Sequence, residues 1–481
     1  MTSTGERYWR RTLHEFGTLP GLRGKYGNEG DPDEPARFTA WRGLPRFPLP
    51  TPASRLTDGL SELLHYTYGV SRLELGPLAM WPYHRLVPSA RCFFPTELYC
   101  WLPETGRLPA GLYAYDAAHH ALVLVRAGVA VDALGAAVGA DLAGADCVLV
   151  FASVFWRTAF RYGDYAYRLC AQEVGMTVGN ALLVAGSQGR HGHVHHQFVD
   201  ADLQRLLGLD WPAESAMSVV ALYPGPRPML AAPARPPVIE PAATGFLDPR
   251  TCGPLIEIDA ASRRTDLAIR STLDSPAVEA EPLTVPNLAD VLRARRSGGP
   301  AFNPVRRPIT LHTVEEIVAP ALSPHVSDAV APGACPPVAC YVWAITPSDG
   351  EPGIYRLQDG RLTPVRRRGT LAGRLRSSNV NYRTANFVAF LVADQEQAQR
   401  RLGDRSFRVL NQEAGIVAQR ICVLAATRSL AGRVHNGYPA AEISAELGLP
   451  TAWQPLFQIV VGTAGPSARY QMPIPFVGGA R

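Results

Sequence analysis

The residue types that most clearly suggest chemistry are two consecutive arginines and a serine, Arg295, Arg296 and Ser297. Guanidinium groups and a hydroxyl donate charge-assisted hydrogen bonds to the oxygens of a phosphate. The same pair of arginines is also typical of a solvated helix face, so the segment by itself leaves both interpretations open. The first hypothesis is an anion-binding site at these three residues.

A second candidate is the pair Arg161 and Tyr162, because a positioned tyrosine can act as an acid or a base. Its phenol has an unperturbed pKa of about 10, so it needs a neighbouring cation to favour the ionised form. Arg161 is such a cation. Lysine chemistry is almost excluded, because Lys25 is the only lysine of the chain and arginine keeps its proton in proteins. The alternative is a core tyrosine whose hydroxyl is hydrogen-bonded.

A histidine-rich segment, formed by His191, His193, His195 and His196, suggests a zinc site. We expect no metal there, because no cysteine or carboxylate is spaced to complete a closed site. The eight cysteines form no CxxC pair and mostly lie in apolar runs, which is typical of reduced thiols in a cytoplasmic protein. The formal charge of +5 is small and scattered, and no segment has the pattern of a signal or a membrane span. Neither nucleic acid nor a membrane is therefore expected as a partner.

These candidates belong to a chain that contains a long internal duplication. The stretch from Tyr167 to Leu209 recurs from Phe407 to Leu449 without a gap. A repeat of this length predicts two related domains rather than a solenoid. Glu173 and Glu413 occupy the same place in both copies, so we expect them to be structural, at a seam between helices.

Composition and periodicity divide the chain into an extended N-terminal arm (1–55), a first domain (56–225), a proline-rich linker (226–285) and a second domain (286–481). Leu255 to Asp259 is a candidate short strand within the linker. A long helix is predicted to start near Arg161, and the Arg-Arg-Ser segment is expected in the N-terminal region of a helix from Leu288 to Phe302. Because strands and helices mix without strict alternation, the fold class is α+β.

Three segments resemble the nitroreductase-like FMN flavoproteins, and most closely their azoline dehydrogenase branch of the SagB/ThcOx type. The resemblance implies a mainly antiparallel sheet flanked by helices in each domain. In that family an Arg-Arg-Ser such as Arg295 to Ser297 holds the FMN phosphate. The segment FWRTAFRYGDYAYR resembles a W-K-Y-G segment whose lysine and tyrosine are taken to be catalytic, with Arg161 in place of the lysine. The segment VPSARCFFPTELY is similar to a loop that reaches the flavin from the partner subunit, which implies cofactor contacts at Pro88, Ser89, Ala90 and Arg91.

The family works as a homodimer with flavins at the subunit interface, and the duplication implies that both protomers are fused here as an intramolecular pseudo-dimer. The two halves retain complementary parts. The second half keeps the arginines and a loop at Asn436 and Gly437, and the first half keeps the Pro88 loop with Arg161 and Tyr162. The resemblance therefore implies one FMN per chain. The reciprocal set has no clear phosphate clamp, since it consists of the arm before Leu56, His195-His196, Cys335-Pro336-Pro337 and Arg401-Leu402. The nearest substitute for Arg-Arg-Ser in that arm, Arg37 to Arg42, is not an equivalent.

The resemblance implies an FMN-dependent dehydrogenase that oxidises thiazolines or oxazolines of a peptide to azoles in ribosomal peptide natural-product biosynthesis, with Tyr162 as the base. Its expected partners are an azoline-containing peptide and a cyclodehydratase complex, in the cytoplasm. Two other classes stay open. One is a general nitroreductase or flavin oxidase with another peptide-derived substrate, and the other is a flavin-free scaffold that binds a peptide or a partner protein.

Overall fold

A computed structural model describes residues 2–13, 34–229 and 253–474, with gaps inside the last two ranges at 54, 58, 77–78, 80, 269, 279–281, 300, 368–370, 372–374, 376, 378 and 466–469. The only lysine, Lys25, and most of the proline-rich part of the expected linker lie outside the described residues.

The first half of the chain contains a broad antiparallel sheet. Its helices are α1 (Thr4–Arg11), α2 (Leu60–Tyr68), α3 (Val131–Val138), α4 (Trp156–Tyr162), α5 (Ala166–Ser187) and α6 (Asp200–Leu207). Its strands are β1 (Arg46–Pro48), β2 (Val70–Leu75), β3 (Tyr83–Arg85), β4 (Thr96–Leu102), β5 (Gly111–Asp116), β6 (Ala121–Ala127), β7 (Cys147–Val154), β8 (His191–His195) and β9 (Glu214–Tyr223).

The second half repeats this arrangement. Its helices are α7 (Gly253–Ser262), α8 (Leu288–Ala294), α9 (Leu311–Ala321), α10 (Gln395–Leu402), α11 (Ser406–Thr427) and α12 (Ala440–Leu447). Its strands are β10 (Val326–Ser327), β11 (Ala339–Ala344), β12 (Gly353–Gln358), β13 (Arg361–Arg367), β14 (Phe387–Asp394), β15 (Ala431–His435), β16 (Trp453–Gly462) and β17 (Tyr470–Pro473).

The strand order shows that the two halves share one topology. The first sheet contains the order β6-β5-β4-β7-β9-β8, and the second sheet has the matching order β13-β12-β11-β14-β16-β15. Two strands extend the first sheet, β1 beside β6 and β10 beside β8, and β17, β2 and β3 form a separate small sheet. The predicted α+β class with two related sheet-and-helix units is confirmed.

The two long helices α5 and α11 pack against each other in the centre of the molecule. Both are buried over nearly their whole length, because apolar and small residues surround them on every side. A Cβ on Gly415 would lie 2.6 Å from the carbonyl oxygen of Gln172, and a Cβ on Gly175 would clash with the carbonyl oxygen of Gln412. Glycine at both positions therefore lets the two helix backbones come into contact.

The arm and the linker contain more regular structure than the sequence predicts. Instead of an extended arm, the chain forms α1, where Ser3 caps the helix and Trp9 packs edge-on against Phe407 at 5.1 Å. The expected strand at Leu255 is helix α7, which buries Leu255 and Ile258 in the core. Both segments are short, so their periodicity is weak, and contacts with distant parts of the chain decide their conformation.

Two predicted helix boundaries are wrong. Helix α8 ends at Ala294, so Arg295, Arg296 and Ser297 follow its C-terminus instead of lying in the N-terminal region of a longer helix. Arg295 leaves the helical conformation with φ −54° and ψ 131°, and Gly298 and Gly299 follow with left-handed φ angles of +76° and +79°. The long helix α5 likewise does not start near Arg161, because the chain turns at Gly163 between α4 and α5.

Candidate functional site

Three arginines from both halves of the chain act on one another's charge; Arg72 and Arg295 are buried and Arg296 is partly buried. Arg295 is 3% exposed, and its Nε donates to the carbonyl oxygen of Leu86 at 3.1 Å, which joins the second half to the first. Arg296 donates to the carbonyl oxygens of Arg293 and Arg295. The third member is Arg72 on β2, which is 7% exposed and whose Nε has no hydrogen-bond partner among the described residues.

The charges of this cluster, Arg72, Arg295 and Arg296, act on one another. The pKa of Arg72 is lowered to about 9, first by burial and then by the positive charges of Arg296 and Arg295, whereas Cys92 and Glu74 act in the opposite direction. Burial also lowers the pKa of Arg295 and of Arg296. Burying like charges together is costly unless an anion neutralises them. The cluster is therefore suited to a phosphate.

Sequence reasoning missed Arg72. The signal that could have found it is the alternation in VSRLEL, which places Arg72 and Glu74 on one face of β2 and Leu73 and Leu75 on the other. Both polar side chains are buried, whereas Leu75 is exposed. A strand whose charged face points inward indicates a polar site beneath it.

The loop that contains Pro88, Ser89, Ala90 and Arg91 borders this cluster. Ser89 Oγ accepts a hydrogen bond from the backbone N–H of Phe94 at 2.9 Å. Ser89 also lies beside the buried Glu173, whose carboxylate accepts from Tyr68 at 2.6 Å and from Thr96 at 3.2 Å. Glu173 is therefore structural, as expected, but it braces this loop and is not bonded across the α5–α11 seam.

Tyr162 lies at the end of α4, beside the same loop. Its ring packs edge-on against Phe93 with the centroids 6.4 Å apart. Burial lowers the pKa of Arg433, whereas the phenols of Tyr382 and Tyr162 act in the opposite direction, which shows that both phenols lie close to this guanidinium. The sequence pointed to Arg161 as the cation beside Tyr162. The structure adds Arg433 from the second half, which also donates to the carbonyl oxygen of Gly299.

Asn436 and Gly437 follow β15 and approach α5 from the second half. Asn436 Nδ2 donates to Gln172 Oε1 at 2.6 Å, and Asn436 Oδ1 is buried without a hydrogen-bond partner in the described part of the chain. The N–H of Gly437 donates to His435 Nδ1 at 3.2 Å. Hydrogen bonds from Arg295 to Leu86 and from Asn436 to Gln172 thus join the two halves at these segments, whereas Tyr162 packs on Phe93 within the first half.

In the pseudo-symmetric region, strands β8 and β10 lie side by side. Strand β10 pairs with β8, with Val326 opposite His193. At the related place beside β15, the N–H of Gly432 donates instead to the carbonyl oxygen of Arg296 at 3.1 Å. The Asp328 carboxylate accepts from the N–H groups of His196 at 2.8 Å and Gln197 at 3.0 Å. A carboxylate and a strand pair thus lie in this region, whereas the other region has Arg72, Arg295 and Arg296.

The remaining candidates of this second region serve packing and ion pairing. Arg401 forms an exposed pair with Asp274 at 3.1 Å, and Leu402 packs against the core. His196 bonds Gln412 at 2.7 Å and Glu413 at 3.0 Å, so Glu413 is also structural but not part of a helix-to-helix bond. In the described ranges no group of three or more histidine, cysteine, aspartate or glutamate side chains is arranged to hold a metal ion. Nor does any helix in those ranges have the length and apolarity to cross a membrane.

Comparison with known proteins identifies the family. The profile described as "Nitroreductase family" matches residues 292–463. The curated protein "Putative nitroreductase MJ1384" of Methanocaldococcus jannaschii is 30% identical over 151 residues, which are 31% of this chain and 72% of that protein. The chain belongs to the nitroreductase family. Family membership indicates an oxidoreductase, and proteins of this family typically bind flavin.

Solved structures of similar fold extend the likeness from residues 292–463 to nearly the whole of this chain. A putative nitroreductase from Anabaena variabilis ATCC 29413 covers 97% of this chain and 100% of its own at 20% identity, with a TM-score of 0.75. The fold is therefore shared along the full length. The Escherichia coli microcin synthetase McbBCD complex with truncated pro-MccB17 bound contains a chain that covers 46% of this one, at 19% identity and a TM-score of 0.30. A likeness this slight supports no argument about function.

Proposed function

We propose that this protein is an FMN-dependent dehydrogenase with one composite site, which oxidises azolines of a peptide to azoles. The observation that carries the flavin assignment is the cluster of Arg72, Arg295 and Arg296. These guanidinium groups come from both halves, two of them are buried and Arg296 is partly buried, and their like charges oppose one another in the absence of an anion. The phosphate of FMN supplies that anion, and Ser297 adds a hydroxyl donor beside Arg295.

The other segments would hold the rest of the cofactor. Asn436 has a buried amide oxygen without a partner among the described residues, so it can accept a hydrogen bond from a bound group. The loop from Pro88 to Arg91 follows Leu86, whose carbonyl oxygen accepts a hydrogen bond from Arg295. Bound FMN would supply the two-electron acceptor that the oxidation of an azoline requires.

Tyr162 is the proposed base. Oxidation of an azoline to an azole removes a proton from Cα and a hydride from Cβ, so the protein has to accept one proton. A phenol does so only when its ionised form is stabilised, and nearby cations provide this stabilisation. Arg433 lies beside the phenol and Arg161 precedes it on α4. Two arginines thus take the place of the lysine in the W-K-Y-G segment that this region resembles.

We further propose that the two halves act as fused protomers of a dimeric flavoprotein and that each chain holds one FMN, because only one of the two interface regions retains the arginines. The pairing of β10 with β8 and the Asp328 carboxylate support this stoichiometry. A carboxylate in this region repels a phosphate, and the strand pair takes the place of the segment that holds the arginines in the other region.

The substrate and the partner follow from the same resemblance. An azoline-containing peptide is the proposed substrate, in ribosomal peptide natural-product biosynthesis, and the cyclodehydratase complex that forms azolines is the proposed partner. We place the protein in the cytoplasm, because the cysteines among the described residues are free thiols.

The test is to purify the protein, record its visible spectrum and incubate it with azoline-bearing peptides. We expect flavin absorbance at about 450 nm and a mass change equal to the loss of two hydrogens per azoline. Flavin without azoline turnover would contradict the dehydrogenase and leave a general nitroreductase or flavin oxidase. A colourless protein that does not take up added FMN would contradict both enzymes and indicate a scaffold.

A further inference from the structure

The loop after Ser89 has an unusual backbone. Arg91, Cys92 and Phe94 have φ angles of 50°, 54° and 51°, a left-handed conformation that side chains other than glycine rarely adopt. Such residues persist only where the surrounding structure holds them, and they cluster at functional sites. The contacts that hold this loop are therefore candidates for a functional role.

Two arginines bind the carbonyl groups of this loop. Arg37 NH1 donates to the carbonyl oxygens of Arg91 at 3.1 Å and Cys92 at 2.9 Å, while its NH2 is fixed by Glu34 at 2.9 Å. Arg157 NH1 donates to the carbonyl oxygen of Phe94 at 3.1 Å. The strained loop is thus held from two sides, by the segment after the N-terminal arm and by α4.

Arg157 also ties these two supports to each other. Its Nε donates to the carbonyl oxygen of Ala36 at 3.1 Å and its NH2 to Thr39 Oγ1 at 2.6 Å. We call residues 34–39 the clamp segment. It contacts α4 through Arg157 and the loop through Arg37, so the three parts form one hydrogen-bonded unit.

The unit reaches Tyr162. Arg37 lies 5.1 Å above the ring of Phe93, and Phe93 packs edge-on against Tyr162 at 6.4 Å. Arg157 and Tyr162 are on the same short helix, α4. The position of the phenol therefore depends on the loop conformation that Arg37 maintains.

The second half of the chain provides an internal comparison. There residues 273–278 run beside the loop at 329–335 and are joined to it by backbone bonds, from Leu273 N–H to Ala329 at 2.7 Å and from Val278 N–H to Gly333 at 3.1 Å. Within this described loop, a positive φ occurs at Gly333 and at no other residue. The positive φ angles at residues other than glycine and the arginine bonds to the loop carbonyls are thus found in the half that contains Tyr162. Neither is described for the corresponding loop at 329–335.

We propose that the clamp segment is a positioning device for the composite site, and that Arg37 sets the orientation of Tyr162 through the strained loop and Phe93. The proposal rests on the proposed role of Tyr162 as a base. It assigns a function to a segment before the first domain, and it places Arg37 beside the loop of the composite site rather than in the reciprocal set that the sequence predicts.

The test uses four variants of the full chain. Arg37→Met keeps the length of the side chain but removes its donors, and Arg37→Lys keeps a cation that can reach both carbonyl groups. The double variant Arg37→Met with Cys92→Gly replaces one strained residue by glycine, which adopts a positive φ without cost. Arg46→Met is the control, because Arg46 is in the same arm but pairs with Asp116 at 3.0 Å, away from the loop.

The first readout does not depend on any substrate. Hydrogen exchange at the amides of Cys92, Phe93 and Phe94 should accelerate in Arg37→Met and remain as in the wild type in Arg46→Met. The amides of α5 and α11 should not change in either variant. Unchanged exchange at the loop would overturn the clamp, whichever substrate the enzyme turns out to use.

The second readout is the rate and pH profile of flavin-dependent turnover. Arg37→Met should lower kcat by about 10²-fold, because small misplacements of a reacting group have effects of this order. It should retain FMN, since Arg72, Arg295 and Arg296 are intact. Arg37→Lys and the double variant with Cys92→Gly should recover much of the rate. A wild-type kcat and pH profile in Arg37→Met, or a loss that neither variant rescues, would contradict the positioning role.

Discussion

At the scale of single residues, the account depends on guanidinium groups that need an anion. Each hydrogen bond to a charged group contributes about 1.5–3 kcal/mol, so loss of one arginine should weaken FMN binding by roughly 10–100-fold. Arg295→Ala with Arg296→Ala should release flavin during purification, and Arg72→Met should raise the Kd for FMN by that factor. Visible absorbance and titration with free FMN measure both effects.

The control for these variants is Arg428→Ala, because Arg428 forms a surface pair with Glu316 at 2.8 Å. It should retain flavin like the wild type. Full flavin retention in the Arg295 and Arg296 double variant would remove the basis of the proposed site.

Tyr162→Phe tests the base. The ring still packs against Phe93, so FMN should remain bound, but azoline oxidation should fall by about 10²–10⁴-fold, the usual effect of removing a positioned acid–base group. Tyr382→Phe is the matched variant, since Tyr382 is the other phenol beside Arg433. It should keep far more of the rate. Near-normal turnover in Tyr162→Phe would exclude Tyr162 as the base.

His195 gives a prediction about pH. It is fully buried, neither ring nitrogen has a hydrogen-bond partner within the described residues, and burial lowers its pKa from 6.5 to about 3. Below pH 6.5 the unfolded chain binds a proton that the folded chain does not, so stability falls as the pH falls. At pH 5 the loss from this one group is about 2 kcal/mol.

His195→Leu should remove that loss. Urea unfolding at pH 7 and pH 5 should show that the variant loses about 2 kcal/mol less than the wild type over this interval. His312→Leu, at an exposed position, should follow the wild type. Parallel losses in His195→Leu and the wild type would show that His195 is protonated in the folded protein.

At the scale of elements, the crossing of α5 and α11 holds the two halves together. Gly175→Ala would place a methyl group against the carbonyl oxygen of Gln412, and overpacking of this kind costs about 1–3 kcal/mol. The control is Gly186→Ala on the same helix, where nothing lies within 4 Å. Because alanine has the higher helix propensity, that variant should be as stable as the wild type or more stable. Thermal unfolding that ranks the two variants in the opposite order would contradict the close crossing.

Elements also show how far the sequence determines the fold. The long helices and the hairpins were predictable, because their apolar periodicity is long and the duplication presents it twice. Helices α1 and α7 were not predictable, since each is short and packs on residues far away in the chain. Arg72 and the pairing of β10 with β8 depend in the same way on contacts between distant segments, which a motif does not record.

At the scale of the whole molecule, helices α5 and α11 of the two halves are related by pseudo-symmetry. The two regions around them that correspond to each other are nevertheless not equivalent. One region has buried arginines, a strained loop and two phenols beside Arg433. The other has Asp328, a strand pair and the His196–Glu413 bond. The sequence could indicate this asymmetry from lost motifs, but not how the second region is filled, because that follows from the packing of β10 on β8.

The central claim is that one chain contains one composite flavin site, and the ratio of flavin to protein tests it most directly. The protein is reconstituted with excess FMN and passed through gel filtration; bound flavin is then measured by absorbance and protein by amino-acid analysis. We expect a flavin-to-protein ratio of about one, because the phosphate of a second FMN would find no paired cations and would bind weakly. The ratio should fall toward zero in the Arg295→Ala and Arg296→Ala double variant. A ratio near two in the wild type, or bound FMN between β8 and β10, would contradict the claim.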